Sequence, residues 1–188
     1  MKLFKKFFFR FTKLGHFMWS SLVCLGLFVS TAHASDGVFE RVHHTKDQAL
    51  EKIFGKQLTV AEDTVTLSDQ EKLTIEQQLG WMLNTSSYTV LTVHDKDSNF
   101  LGYSMVLHEL GKHQPITFLA AITPDFKVKD YLLLVYREHR GDEVKKKRFR
   151  KQFWGLGSKD SMQVDIDIDG ITGATISSWS IASGVKKA

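Results

Sequence analysis

Residues 116–122 (ITFLAAI) and residues 130–136 (DYLLLVY) are two nearly continuous apolar runs, separated by a turn that contains Pro and charged residues. Each run has the length of a β-strand and is too short for an ordinary helix. Residues 88–94 alternate and are rich in Val and Thr, and residues 100–108 follow them after a short polar turn. Consecutive strands that are joined by short turns favour an antiparallel sheet. The sequence therefore predicts such a sheet in the middle of the chain.

Helices are predicted on both sides of these strands. Ser68 and Glu71 have the spacing of a capping box, and the helix that they begin is expected to continue to about Leu79 and to end at Gly80. The other predicted elements are a short helix over residues 49–54, a helical segment over 144–154, a strand over 164–168 and a C-terminal helix from about Ala174. With 188 residues, the chain is predicted to be one α+β domain with a largely antiparallel sheet flanked by helices.

The positive charge of the chain is concentrated at its N-terminus. Residues 1–34 hold five of the 25 Lys and Arg residues and none of the 21 Asp and Glu residues, so the rest of the chain has a net charge of −1. A nucleic-acid-binding domain carries its basic surplus in the folded part, so no nucleic-acid partner is expected. The single cysteine, Cys24, also lies in this segment. A thiolate metal site, an iron–sulfur cluster or a disulfide is therefore excluded for the remainder.

The first 34 residues have the order of parts of a secretory signal peptide. A basic stretch precedes the apolar run of residues 17–29, and Ala32-His33-Ala34 follows as a cleavage pattern before Ser35. The apolar run is shorter than the roughly 20 residues that a membrane-spanning helix needs. We predict a signal peptide over residues 1–34 and a periplasmic mature protein, with an uncleaved membrane anchor as the alternative.

The residues with the clearest chemical meaning lie near the C-terminus, in DGITGATISS, residues 169–178. Gly170 and Gly173 allow a sharp turn before a helix, and the free N–H groups of a helix start bind phosphate without a basic side chain. Thr172, Thr175, Ser177 and Ser178 add hydroxyl groups around this position. The alternative is an ordinary helix cap, in which such side chains satisfy only backbone amides.

The same segment resembles the flavin-attachment motif Asp-x-x-(Ser/Thr)-Gly-Ala-(Ser/Thr), and its matching residues are Asp169, Thr172, Gly173, Ala174 and Thr175. This motif is typical of the FMN-binding domain family, which includes flavin-carrying components of sodium-translocating NADH:quinone reductase and of a related ion-translocating electron-transport complex. In that family a separate flavin transferase uses FAD and magnesium to attach FMN through a phosphoester to the last residue of the motif. The resemblance implies covalent FMN on Thr175.

Two segments upstream also resemble the family. Residues 111–116 resemble its glycine-rich turn that ends in Pro-Ile, and residues 136–144 resemble the loop that faces the flavin, although the family's Pro and second Gly are absent here. The resemblance extends over about residues 80–188, and residues 35–79 are predicted as an N-terminal helical extension. The residues assigned to the cofactor are Thr175, Asp169, Gly170, Thr172, Gly173, Ala174, Ser177, Glu138 and Gly141.

The function that the resemblance implies is that of a short, exported electron-transfer protein with covalent FMN. Its expected partners are a flavin transferase for maturation and redox proteins at or near the membrane. The alternatives are a flavin-dependent reductase that acts on a small molecule and a membrane-anchored subunit of an electron-transport complex. Neither a metal site nor a set of catalytic residues is predicted, and a carrier is favoured over a self-sufficient enzyme because the chain has no dinucleotide fingerprint.

Overall fold

The computed structural model describes residues 39–188. Its strands are β1 (Arg41–Val42), β2 (Thr59–Thr66), β3 (Ser87–His94), β4 (Phe100–Leu110), β5 (Pro115–Ile122) and β6 (Val128–Tyr136). Its helices are α1 (Lys46–Phe54), α2 (Asp69–Leu79), α3 (Lys147–Arg150) and α4 (Thr175–Lys187), with 3₁₀ turns at Asp142–Lys145 and Lys151–Phe153. The predicted signal peptide lies outside the described residues.

The strands form one sheet in the order β1-β6-β5-β4-β3-β2, and every neighbouring pair is antiparallel. The predicted fold class, α+β with an antiparallel sheet flanked by helices, is confirmed. No helix among the described residues is long and apolar enough to cross a membrane.

The central strands are apolar throughout because both faces of the sheet are covered. Phe118 and Leu133 belong to a core under α4 and the segment that follows β6, whereas Leu119 and Leu132 belong to a second core under α1. Neighbouring side chains of a strand point to opposite faces. Polar and apolar residues therefore do not alternate along a strand that is buried on both faces.

Capping residues define the ends of the first two helices. Ser68 and Glu71 form the predicted capping box at the start of α2, and Gly80 ends this helix in the left-handed conformation, with φ of 81°. A second capping box, formed by Thr45 and Gln48, begins α1 three residues before the predicted start. The start of α1 was predicted from its apolar residues, and these do not indicate where the capping box lies.

Three predictions are wrong in detail. The segment over residues 164–168 is a tight turn instead of a strand, with Asp165 at φ of 68° and its N–H bonded to the carbonyl of Ile168 at 2.8 Å. Residues 144–154 are not one helix, because Lys146 adopts an extended conformation between a 3₁₀ turn and α3. The N-terminal extension is not entirely helical, because it contains β1 and the edge strand β2.

Helix α4 packs closely against the sheet at Gly184. A Cβ atom at this position would lie 2.4 Å from Cζ of Phe118 and 2.7 Å from Cγ of Glu109. Both distances are well inside van der Waals contact, so the helix cannot approach the sheet in this way with any larger residue.

We expect Gly184→Ala to lower the free energy of unfolding by about 1–3 kcal/mol, because either the helix or the Phe118 ring must move. Urea unfolding followed by circular dichroism measures this change. Ser183→Ala, one residue earlier on the same helix, is the control and should change stability by less than about 0.5 kcal/mol. Equal effects of the two variants would contradict the close packing.

Candidate flavin site

A pocket of about 500 Å³ lies where three segments meet. The segments are the β4–β5 turn at residues 111–114, the loop that follows β6 at residues 137–141, and the first turn of α4. The first two segments are adjacent because β5 begins and β6 ends at the same end of the antiparallel sheet. The volume is within the range of pockets that hold one cofactor or substrate molecule.

The start of α4 contributes unpaired backbone amides to this pocket. Gly173 has φ of +79°, a conformation that favours glycine, and it turns the chain into the helix. Ala174 is the N-cap residue and supplies no side-chain hydrogen bond. The first N–H groups of a helix have no partner within the helix, and together with the helix dipole they favour an anion. Thr175, the first helical residue, is exposed in the pocket.

Ser178 holds the turn that precedes the helix. Its hydroxyl accepts a hydrogen bond from the N–H of Ile171 at 3.3 Å and donates one to the carbonyl of Ala174 at 3.0 Å. The side chain is fully buried. This hydroxyl therefore fixes the backbone of the motif and is not available to a ligand.

Glu138 connects two walls of the pocket. Its carboxylate accepts hydrogen bonds from the backbone N–H groups of His113 and Gln114 in the β4–β5 turn, the latter at 3.0 Å. The residue is 8% exposed. Burial alone would raise the pKa of Glu138, but the backbone amides of the turn outweigh it, and the pKa lies below its usual value.

Gly141 lies behind the pocket and leaves room for two hydroxyl groups. An added Cβ would lie 2.5 Å from the Tyr136 hydroxyl and 2.7 Å from the Ser177 hydroxyl, and the φ of +101° also favours glycine. The Tyr136 hydroxyl donates to the carbonyl of Arg140 at 2.6 Å and is 2.8 Å from the Ser177 hydroxyl. These contacts attach the loop after β6 to the first turn of α4.

Seven of the nine predicted cofactor residues line the pocket or a second depression, and Gly141 lies behind the pocket. Thr175, Gly173, Ala174, Ser177 and Glu138 line the pocket. Asp169 and Gly170 line a second depression of about 290 Å³, beside Arg148 and Gln152. The Gln152 side chain pairs with the Asp169 backbone: the N–H of Asp169 donates to Oε1 at 2.7 Å, and Nε2 donates to the carbonyl of Asp169 at 3.3 Å.

Thr172 is exposed and lines neither depression. Asp165 and Asp167 belong to the tight turn described above, so they do not share a strand face with Asp169. No group of three or more side chains suited to a metal ion occurs among residues 39–188.

Four basic or protonatable residues of the pocket were not among those predicted. Lys112 and His113 come from the β4–β5 turn, and His139 and Arg140 come from the loop after β6. Their side chains add positive or protonatable groups beside the helix start, where an anion is favoured. Only the loop after β6 had been predicted to face the flavin, so the basic residues within it were the available signal, whereas the β4–β5 turn had been predicted only as a glycine-rich turn before a strand.

Residues 111–188 match the family model described as an FMN-binding domain. The match contains the pocket and the whole motif, and the predicted resemblance is confirmed. The chain is also similar to the crystal structure of NqrC from Shewanella oneidensis, with 15% sequence identity, a TM-score of 0.48, and coverage of 72% of this chain and 80% of that chain. No curated protein matches the chain.

The residues of the pocket fit FMN. A phosphate group is suited to the uncapped start of α4, and Lys112 and Arg140 supply positive charge beside it. The one carboxylate among the lining residues belongs to Glu138, which is turned toward the amides of residues 113 and 114. The pocket therefore has the charge that an anionic cofactor requires.

We expect Glu138→Ala to lower the free energy of unfolding by about 1–3 kcal/mol, because two amides of the β4–β5 turn lose their acceptor. Because the folded pKa of Glu138 lies below its unfolded value, its ionised form stabilises the protein above about pH 4.3, and this contribution disappears as the pH falls through the folded pKa. The stability difference between wild type and Glu138→Gln should therefore shrink between pH 7 and pH 3.

Denaturant unfolding at a series of pH values measures both effects. Glu143→Gln removes the same charge a few residues later in the chain and serves as the control. A difference between wild type and Glu138→Gln that does not depend on pH would contradict the role of the ionised carboxylate.

Proposed function

We propose that this protein is an exported electron carrier in which FMN is attached covalently to Thr175 through a phosphoester. The observation that carries the proposal is the position of Thr175, whose exposed side chain lies in the pocket of the FMN-binding domain at a helix start without a side-chain cap. The motif residues that precede it support the same acceptor.

The residues around Thr175 have distinct roles in this proposal. The amides of the first turn of α4 bind the phosphate, and Lys112 and Arg140 balance its charge. The hydrogen bond between Tyr136 and Ser177 fixes the helix start against the loop. Bound FMN would supply transfer of one or two electrons, and the protein would orient it and exclude competing reactions.

Attachment is a group transfer without oxidation or reduction. The Thr175 Oγ forms a bond to the FMN phosphorus of FAD, the phosphoanhydride bond breaks, and AMP leaves while the hydroxyl proton passes to a base. No set of metal-ligating side chains occurs in the described part of the chain, so we propose that a separate flavin transferase supplies the magnesium ion. The exposure of Thr175 is compatible with access by such an enzyme.

A carrier is favoured over a reductase with its own small-molecule substrate. The pocket at Thr175 has the size of a single ligand site, so one bound flavin accounts for it. The partners that we propose are redox proteins at or near the membrane, which would exchange electrons with the flavin. Steady turnover of the loaded protein with a soluble small-molecule donor and acceptor would favour the reductase instead.

We expect Thr175→Ala to abolish attachment. Intact mass under denaturing conditions, after co-expression with a flavin transferase and export, should show one FMN increment on the wild type and none on this variant. Thr175→Ser keeps a hydroxyl and should keep the increment, whereas Thr172→Ala should reduce it only partly, because Thr172 lies outside the pocket. Since no side chain caps α4, Thr175→Ala should change stability by less than about 0.5 kcal/mol.

A wild-type mass without the increment would contradict covalent attachment. An increment that persists in Thr175→Ala would show that another residue is the acceptor.

Export is the second part of the proposal. The basic leader and the pattern at residues 32–34 support cleavage before Ser35 and a periplasmic location. N-terminal sequencing of the protein from its native compartment should give Ser35 as the first residue. Retention of Met1 in a membrane fraction would instead support the membrane-anchored alternative.

A further inference from the structure

The residues that precede α1 lie against the loop that forms one wall of the flavin pocket. Strand β1 pairs with the end of β6, with Arg41 opposite Tyr136 and Val42 opposite Val135. The N–H of His43 continues this pairing with a hydrogen bond to the carbonyl of Leu134 at 2.8 Å. The loop at residues 137–141 begins where this pairing ends.

Three side-chain contacts connect this segment to the loop. The rings of Phe39 and His139 have their centroids 4.6 Å apart with an interplanar angle of 34°. Arg41 forms an ion pair with Asp142 at the end of the loop. Arg137 at its beginning forms an ion pair with Glu40, with 3.1 Å between Nε and Oε2.

The contacts support one another. The guanidinium of Arg41 lies 5.3 Å from the centroid of the Phe39 ring, so the residue that binds Asp142 also packs on the ring that stacks against His139. Asp142 accepts a second hydrogen bond, from Lys145 at 2.6 Å. Burial would raise the pKa of Asp142, but the hydrogen bonds from Lys145 and Arg41 outweigh it, so the carboxylate is ionised near neutral pH.

These contacts affect the pocket because His139 and Arg140 line it. Both side chains are exposed and belong to a loop that ends in a glycine with positive φ. On the inner side, Tyr136 and Glu138 fix the loop through the bonds described above. From outside the pocket, Phe39 contacts His139 and Arg41 contacts Asp142, the first residue after the loop.

We propose that Phe39 and Arg41 are positioning residues of the flavin site, which hold His139 and Arg140 in place against the cofactor. Phe39 and Arg41 then support the wall of the site from outside the pocket, and cleavage before Ser35 leaves them in the mature protein. This inference rests on the proposed function in that it takes FMN to occupy the pocket at Thr175.

Phe39→Ala removes the ring contact with His139, and Arg41→Gln removes the ion pair with Asp142. Phe39→Tyr keeps an aromatic ring at position 39, and Arg41→Lys keeps the positive charge at position 41. Lys46→Gln is the matched control, because it removes a cation from an exposed ion pair with Glu62 that does not contact the loop. In the flavin-free protein we expect amide hydrogen exchange at residues 138–142 to be roughly two- to tenfold faster in the first two variants. In Phe39→Tyr, Arg41→Lys and the control, the amides of residues 138–142 should exchange at the wild-type rate.

The second measurement uses protein that carries FMN, as shown by its intact mass. Phe39→Ala and Arg41→Gln should shift the midpoint potential and the visible spectrum of the flavin, and the control should shift neither. Amides of the central strand, such as those of Leu119 and Ala120, report on global unfolding. Acceleration there as large as at residues 138–142 would overturn the proposal, because the effect would then be a general loss of stability.

Wild-type exchange at residues 138–142 in both variants would also overturn the proposal. If FMN is attached but the potential and spectrum do not change, the role in positioning the cofactor is wrong while the proposed function stands. If the wild type carries no FMN, the proposed function fails, and the hydrogen exchange of the flavin-free protein still decides whether Phe39 and Arg41 hold the loop.

Discussion

The close packing of α4 on the sheet determines where the functional site lies. At Gly184 the helix is so near the sheet that a methyl group would collide with the Phe118 ring. One turn earlier, the Ser180 hydroxyl donates to the carbonyl of Leu110 at 2.6 Å, at the point where the β4–β5 turn begins. Because a helix is stiff, these contacts also fix its first residue. Thr175 therefore has a defined position relative to the turn and the loop that complete the pocket.

The elements predicted correctly are those whose signals are local or strongly apolar. The capping box at Ser68 depends on two side chains three residues apart, and the central strands are apolar because both of their faces are covered. Strand β2 gave no such signal, since it is an edge strand that is mostly exposed. The alternating apolar residues Val164, Ile166 and Ile168 predicted a strand, but only the first and last are buried, and the chain between them turns tightly. Alternation of apolar residues in a sequence thus does not distinguish a strand from a tight turn whose two end residues are buried.

The candidate site could be predicted in part for a similar reason. The residues of the motif are contiguous in sequence, so Thr175 and Gly173 could be assigned to a helix start without knowledge of the fold. The pairing of His113 with Glu138, by contrast, joins residues from two different turns, and no local pattern indicates it. Phe39 is further still from His139 in sequence, and its contribution depends on the pairing of β1 with β6. Contacts across the sheet, and not the motif, decide which basic side chains surround the helix start.

Covalent attachment is consistent with a pocket in which the acceptor residue is exposed. A cofactor that is held without a covalent bond at micromolar affinity gains about 8 kcal/mol and is lost on dilution outside the cytoplasm. Tighter binding would require the protein to enclose the flavin, and an enclosed flavin exchanges electrons poorly with another protein. With the proposed phosphoester at Thr175, retention would no longer depend on burial. The surrounding residues are then free to set the position and potential of the flavin, while one side of it stays accessible to redox partners.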